Sequence, residues 1–308
     1  MWTRLTKLQK FFFILIVLSL AVAGIGTWLC ERFLNVSDPV INYGIKLQIV
    51  GGLYMFAPTI SVLIVEKWNF KKVFTEYNIR LKAIHISKSV KYILLTAFLL
   101  PVLILFFSFL FGNVFGLKEF GFLIISKEDL NPLVMTELPP FFSDFTLRML
   151  IGIPFLAVSS LLAGCTINLI FALGEEIAWR GFLEKEIVIS EKCKPLLIGT
   201  VWGLWHAPLI LLLGLNYVEH RIVGIFVMVI VCIALAYYFS QSLHQSRTLL
   251  VPAALHGIIN FSPLFTLIFV KTGNPLLGPP MGLIFALSVA TVIFILWLFR
   301  KRTLNEET

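Results

Sequence analysis

FFFILIVLSLAVAGIGTWL, Phe11 to Leu29, is a run of 19 residues without one ionisable side chain. About 20 apolar residues are what a helix needs to cross the hydrocarbon layer of a bilayer. Arg4, Lys7 and Lys10 precede the run, and Ala21-Val22-Ala23 resembles a small-residue signal cleavage site. The apolar stretch nevertheless continues to Leu29, and Trp28-Leu29 before Cys30 leaves no small residue for a lipoprotein cleavage. The expectation is an uncleaved first membrane helix.

Working outward, seven more segments of similar length follow: Leu47–Val65, Tyr92–Phe111, Met149–Leu173, Pro195–Leu215, Ile222–Ser240, Leu249–Val270 and Pro280–Phe299. Barrel strands would be half as long and would alternate. The fold class expected is therefore an all-α polytopic membrane protein with about eight transmembrane helices. Composition agrees: 58% of the 308 residues are hydrophobic and 14% are charged, where a soluble chain carries about 25% charged residues.

The formal net charge of +8 has its explanation in topology, because the lysines and arginines flank the apolar runs; no nucleic-acid partner is expected. With the N-terminus inside, 18 lysines and arginines fall on the inner side and 7 on the outer. The positive-inside rule then puts both termini in the cytoplasm. Residues 1–145 are expected to form a scaffold of three helices, with a basic cytoplasmic loop at 66–91 and an outside loop at 112–148. Residues 146–308 hold the remaining helices. Cys30, Cys165, Cys193 and Cys232 form no CxxC pair, so neither a disulfide framework nor a zinc knuckle is indicated.

LGEEIAWRGF, Leu173 to Phe182, follows about 25 uncharged residues. An ionised group inside a membrane is costly unless it is paired or functional. Three further polar residues share this setting: His206 in VWGLWHAP, and His256 and Asn260 in LHGIINF. The first three spans carry nothing comparable at mid-depth. Glu176 and Arg180 are four apart, acid first, which favours a local ion pair. Glu175 points about 100° away from Glu176. His256 and Asn260 share one helix face, as do Trp202 and His206. At about 1.5 Å per residue, His206 lies about 16 Å from the inner edge of its span, His256 about 10 Å and Asn260 about 16 Å. All can line one polar cavity in the cytoplasmic half of the membrane. Pro208 and Pro252 are expected to open the helices near the two histidines. Each motif alone has a plainer explanation, a charge cluster at a helix end or polar contacts between helices; three helices contributing at matching depth argue for a site.

These residues resemble the CPBP family of intramembrane proteases, the CAAX-protease and bacteriocin-processing enzymes related to the Ras-converting prenyl endopeptidases. EExxxR reads Glu175 to Arg180, FxxxH reads Trp202 to His206 with Trp in place of Phe, and HxxxN reads His256 to Asn260. The resemblance covers about residues 150–270. It implies an eight-helix bundle around a peptide-cleaving site. Glu175 would be the general base, His206 would orient the water, and His256 and Asn260 would stabilise the oxyanion. Glu176, Arg180 and Trp202 would support them.

Elementary chemistry is compatible with that: hydrolysis needs a base, a water and donors for the oxyanion. No Ser or Cys has an evident partnered base. Glu175, His206 and His256 could also bind zinc or another divalent metal, but there is no HExxH, and the expectation is that no metal is used. The expected partners are the lipid bilayer and a membrane-associated peptide or protein substrate. The expected location is the cell membrane, with the site open to its cytoplasmic half. Two other readings stand beside this one: an immunity or adaptor protein that keeps the fold, and a proton-coupled transporter, against which the lack of internal symmetry counts.

Overall fold

Proline placement and end-capping account for much of how the long helices are cut. In the computed structural model, which describes residues 5–79, 84–130, 139–261 and 268–306, the chain is built almost wholly of helices. In chain order they are α1 (Lys7–Phe33), α2 (Pro39–Val65), α3 (Ile86–Val114), α4 (Phe145–Cys165), α5 (Ile167–Glu176), α6 (Lys194–Leu213), α7 (Arg221–Ser246), α8 (Leu250–Ile259) and α9 (Leu283–Lys301). Seven of them, all but α5 and α8, are long and apolar enough to cross a membrane. Thr6 and Gln9 cap α1 reciprocally, Asp38 caps α2 ahead of Pro39, and Asp144 caps α4. Each cap satisfies N–H groups that no helix can satisfy itself.

Inside the spans, π-helical turns at Leu95–Leu99 and Arg148–Gly152 stand just before Pro101 and Pro154. A proline offers no N–H and crowds the carbonyl four residues back, so the ladder widens there. The same cause interrupts α6 at His206, where Pro208 follows and the Tyr54 hydroxyl donates to the Trp205 carbonyl at 2.6 Å. Pro252 behaves differently from the expectation. It lies in the first turn of α8, where its missing N–H costs nothing, and the helix there is unbroken.

Two expected spans need correction. Met149–Leu173 is not one helix: Thr166, at φ −125° and ψ −97°, separates α4 from α5. Leu249–Val270 yields the short α8, which ends at Asn260, while Val270 belongs to a strand; residues 262–267 between them lie outside the described residues.

Close contacts set the helix packing. A Cβ on Gly199 or Gly203 would lie 2.5 Å from Ile233 Cα or 2.4 Å from Val229 Cα, so this small-xxx-small stripe lets α6 meet the α7 backbone. Gly164 and Gly257 do the same for α4 and α8: a Cβ on Gly164 would lie 2.5 Å from the Ile258 nitrogen.

The two ends of the bundle sort charges as alternating spans require. At one end Glu66 accepts from Lys7 at 2.9 Å and from Lys72, Lys7 also reaches Glu186 at 3.1 Å, and Lys185 pairs with Glu76. At the other, Lys271 pairs with Asp129 at 2.8 Å beside an antiparallel two-stranded ribbon, β1 (Phe122–Leu123) with β2 (Val270–Lys271).

Candidate active site

Helix α5 does not stop at Glu176. A π-helical segment, Ile177–Leu183, carries it on to Glu184–Glu186, and all seven residues of that segment are buried. Such widened turns occur frequently at functional sites. Glu175 and Glu176, 2% and 0% exposed, diverge from this helix into different partners.

Glu175 is held by aromatic donors. Its Oε2 accepts from the indole of Trp179 at 3.1 Å and from the indole of Trp202 at 2.6 Å. That leaves Oε1, which faces His256 Nε2 across 4.0 Å. The separation is too long for a direct hydrogen bond. Glu176 takes the ionic partners. Its Oε1 meets an Arg180 Nη at 3.1 Å and His256 Nδ1 at 2.8 Å. The Glu176–Arg180 pair expected from spacing therefore forms, and its second function, gripping His256, is one the spacing did not reveal. Because an ionised carboxylate only accepts, the His256 proton sits on Nδ1 and Nε2 is presented to Glu175. The Arg180 guanidinium carbon lies over the rings of Trp202 and Phe239, 4.4 and 5.0 Å from their centroids. Its Nε and other Nη, and Glu176 Oε2, have no hydrogen-bond partner among the described residues.

The position of His256 rests on backbone contacts. Gly257 packs on the Gly164 carbonyl, and the Asn168 amide donates to the Gly257 carbonyl at 3.0 Å. That carbonyl is available because the chain turns at Asn260, where Phe261 N–H bonds Ile258 instead.

Of the remaining expected residues, His206 is linked to this pair through the Trp202 ring. His206 stands at the break in α6 and its Nδ1 donates to the Trp202 carbonyl at 2.8 Å, leaving Nε2 free of that bond. The Trp202 ring centroid is 6.0 Å from that of His206 and 5.3 Å from that of His256, so one indole separates the two histidines. Asn260 ends α8 with its side chain exposed. Beside it, Ile258, Ile259 and Phe261 line a partly open apolar cavity against Leu100, Ile104 and Leu156. Sequence reasoning missed Trp179, Tyr54 and Asn168. Trp179 was available from its four-residue spacing to Glu175; the other two act across helices and leave no local signal.

One carboxylate oxygen of Glu175 is occupied by two indoles and His256 Nδ1 by Glu176.

Residues 147–262 match the family model described as Rce1-like, type II CAAX prenyl endopeptidase. This segment, which contains all the motif residues, is similar to that family of membrane proteases. No curated protein and no solved structure matched the chain.

Proposed function

We propose that the protein is an intramembrane endopeptidase in which Glu175 activates water against a peptide bond of a membrane-associated substrate. The observation that carries this is the division of labour between adjacent carboxylates. One oxygen of Glu175 is fixed by two indoles, and the other confronts a histidine ring at a distance suited to one bridging water. The water's proton passes to Glu175 Oε1 as its oxygen adds to the carbonyl carbon. His206 Nε2 accepts from the attacking water, the oxyanion meets the Asn260 amide, and Glu175 returns the proton to the departing amine. Glu176 fixes the His256 ring, and Arg180 balances Glu176. No metal is needed for these steps; the engagement of Glu175 and His256 by protein donors and acceptors supports that reading. The apolar cavity beside Asn260 offers room for apolar substrate side chains.

The charge bias of 18 to 7 supports both termini in the cytoplasm and a site reached from that side of the cell membrane. The test is cleavage of a membrane peptide library by purified protein, read by mass spectrometry. Products that appear with wild type and vanish with Glu175→Gln are expected; equal cleavage by both overturns the assignment.

A further inference from the structure

A second histidine–carboxylate cluster lies farther along the helix that carries Glu175. Glu184 is four residues beyond Arg180, on the last turn of that helix. His244 reaches it from the last turn of α7, its Nε2 3.5 Å from Glu184 Oε1. Glu191, in the connection before α6, completes the group, and one ligand atom of each residue lies within 4.8 Å of the other two.

We propose that Glu184, Glu191 and His244 form a binding site for a divalent metal ion of the zinc class. Three observations carry it. First, the spacing: ligand atoms about 2.0–2.2 Å from a tetrahedral zinc are about 3.3–3.5 Å apart, which the His244–Glu184 pair already meets. Second, the carboxylate: the Glu184 side chain is 11% exposed, its Oε1 is paired with the His244 imidazole, and its Oε2 has no hydrogen-bond partner among the described residues. An enclosed carboxylate oxygen without a partner is unfavourable, so this carboxylate is poised for a cation. Third, the charge: the two carboxylates face a single fixed cation, Lys194. Its Nζ holds Glu191 Oε1 at 2.7 Å and the Glu184 backbone carbonyl at 2.9 Å. It touches neither side-chain oxygen of Glu184, and it leaves the second oxygen of Glu191 available. One imidazole nitrogen with carboxylate oxygens is a donor set suited to zinc rather than to calcium or magnesium, which prefer oxygen alone. Glu191 and His244, 67% and 60% exposed, have the freedom to close the remaining distance.

A filled site would tie the end of the catalytic helix to α6 and α7 without touching the reacting groups. It would also give the protein bound zinc that takes no part in hydrolysis.

The experiment is a titration of tag-free full-length protein in detergent with zinc chloride near neutral pH, by calorimetry, with metal content measured after desalting. A single saturable zinc is expected in wild type and in Glu175→Gln alike, together with a higher melting temperature. His244→Ala and Glu191→Gln, both at exposed side chains, are expected to weaken binding by at least ~10-fold while melting like wild type without zinc. Absence of saturable binding in wild type overturns the proposal. So does unchanged affinity in both rim variants, or loss of zinc in Glu175→Gln, which would put the ion in the buried cluster. Because the readout is binding, it stands whether or not the hydrolytic reading of Glu175 holds.

Discussion

One helix carries two histidine–carboxylate clusters, and they are built on opposite principles. In the buried cluster, Glu175 and Glu176 are almost fully enclosed and each has partners on its own helix and on others. At the rim, Glu184 is mostly enclosed, one carboxylate oxygen paired with His244 and the other without a hydrogen-bond partner among the described residues, and its neighbours Glu191 and His244 are exposed. The comparison teaches that burial by itself does not mark a reactive group. What distinguishes Glu175 is that one oxygen is immobilised while the other confronts a ring whose orientation is fixed from behind.

The largest effect that could break the comparison is at Glu175. Glu175→Gln keeps the shape and should lower turnover by at least ~10²-fold, the scale of a positioned base, with little change in melting temperature. Near wild-type specific activity in nanodiscs would remove the distinction between the clusters.

Next comes the pair behind His256. Arg180→Ala strands Glu176 in the interior and should cost about 3–5 kcal/mol of stability, the usual penalty for an unpaired buried charge, read as lower yield and melting temperature. Glu176→Gln keeps a carbonyl for His256 Nδ1 but loses the ion pair; it should reduce both stability and activity per folded molecule. An active, stable Glu176→Gln would show that His256 needs no grip.

A smaller loss is expected at the aromatic donors. Trp179→Phe or Trp202→Phe removes one of two hydrogen bonds to Glu175 Oε2, and a bond to a charged group is worth about 1.5–3 kcal/mol. Turnover should fall roughly tenfold for either, and the double variant should approach Glu175→Gln. Single-turnover rates on one peptide would check this.

The smallest effect belongs to the charged end of the bundle, where Glu66 meets the partly exposed Lys7 and Lys72. Burial pushes the Glu66 carboxyl up, but hydrogen bonds from Lys72 and Lys7 outweigh it and hold the group below its usual value. A carboxyl depressed in the folded state stabilises above its unfolded value, about 4.3, and loses that contribution as pH falls through the folded value. Glu66→Gln should therefore cost about 1 kcal/mol or less near pH 7 and should no longer differ from wild type in strongly acidic buffer. Thermal melts at the two pH values test it.

The long spans were legible because 20 uncharged residues in a row have few other uses, and α1 and α7 appear close to where hydropathy put them. The break at Thr166 was not: nothing in SLLAGCTINL separates a kinked span from a straight one, and the close approach of α8 to Gly164 beside the break is a contact between helices. Within the site, contacts along one helix could be read from four-residue spacing, Glu176 with Arg180 above all. Contacts between helices could not. His256 was expected beside Glu175, yet its shortest bond is to Glu176, because side-chain direction across a gap depends on the approach of two backbones rather than on either sequence.

The two indoles on Glu175 also make the carboxylate observable. Each donates its N–H to the same oxygen, so any change in charge there must alter both ring N–H groups at once. Among the seven tryptophans of the chain, Trp179 and Trp202 thus act as a paired optical and magnetic gauge of the buried acid. Replacement of Glu175 by Gln would be read in both indole resonances at once, without substrate and without turnover.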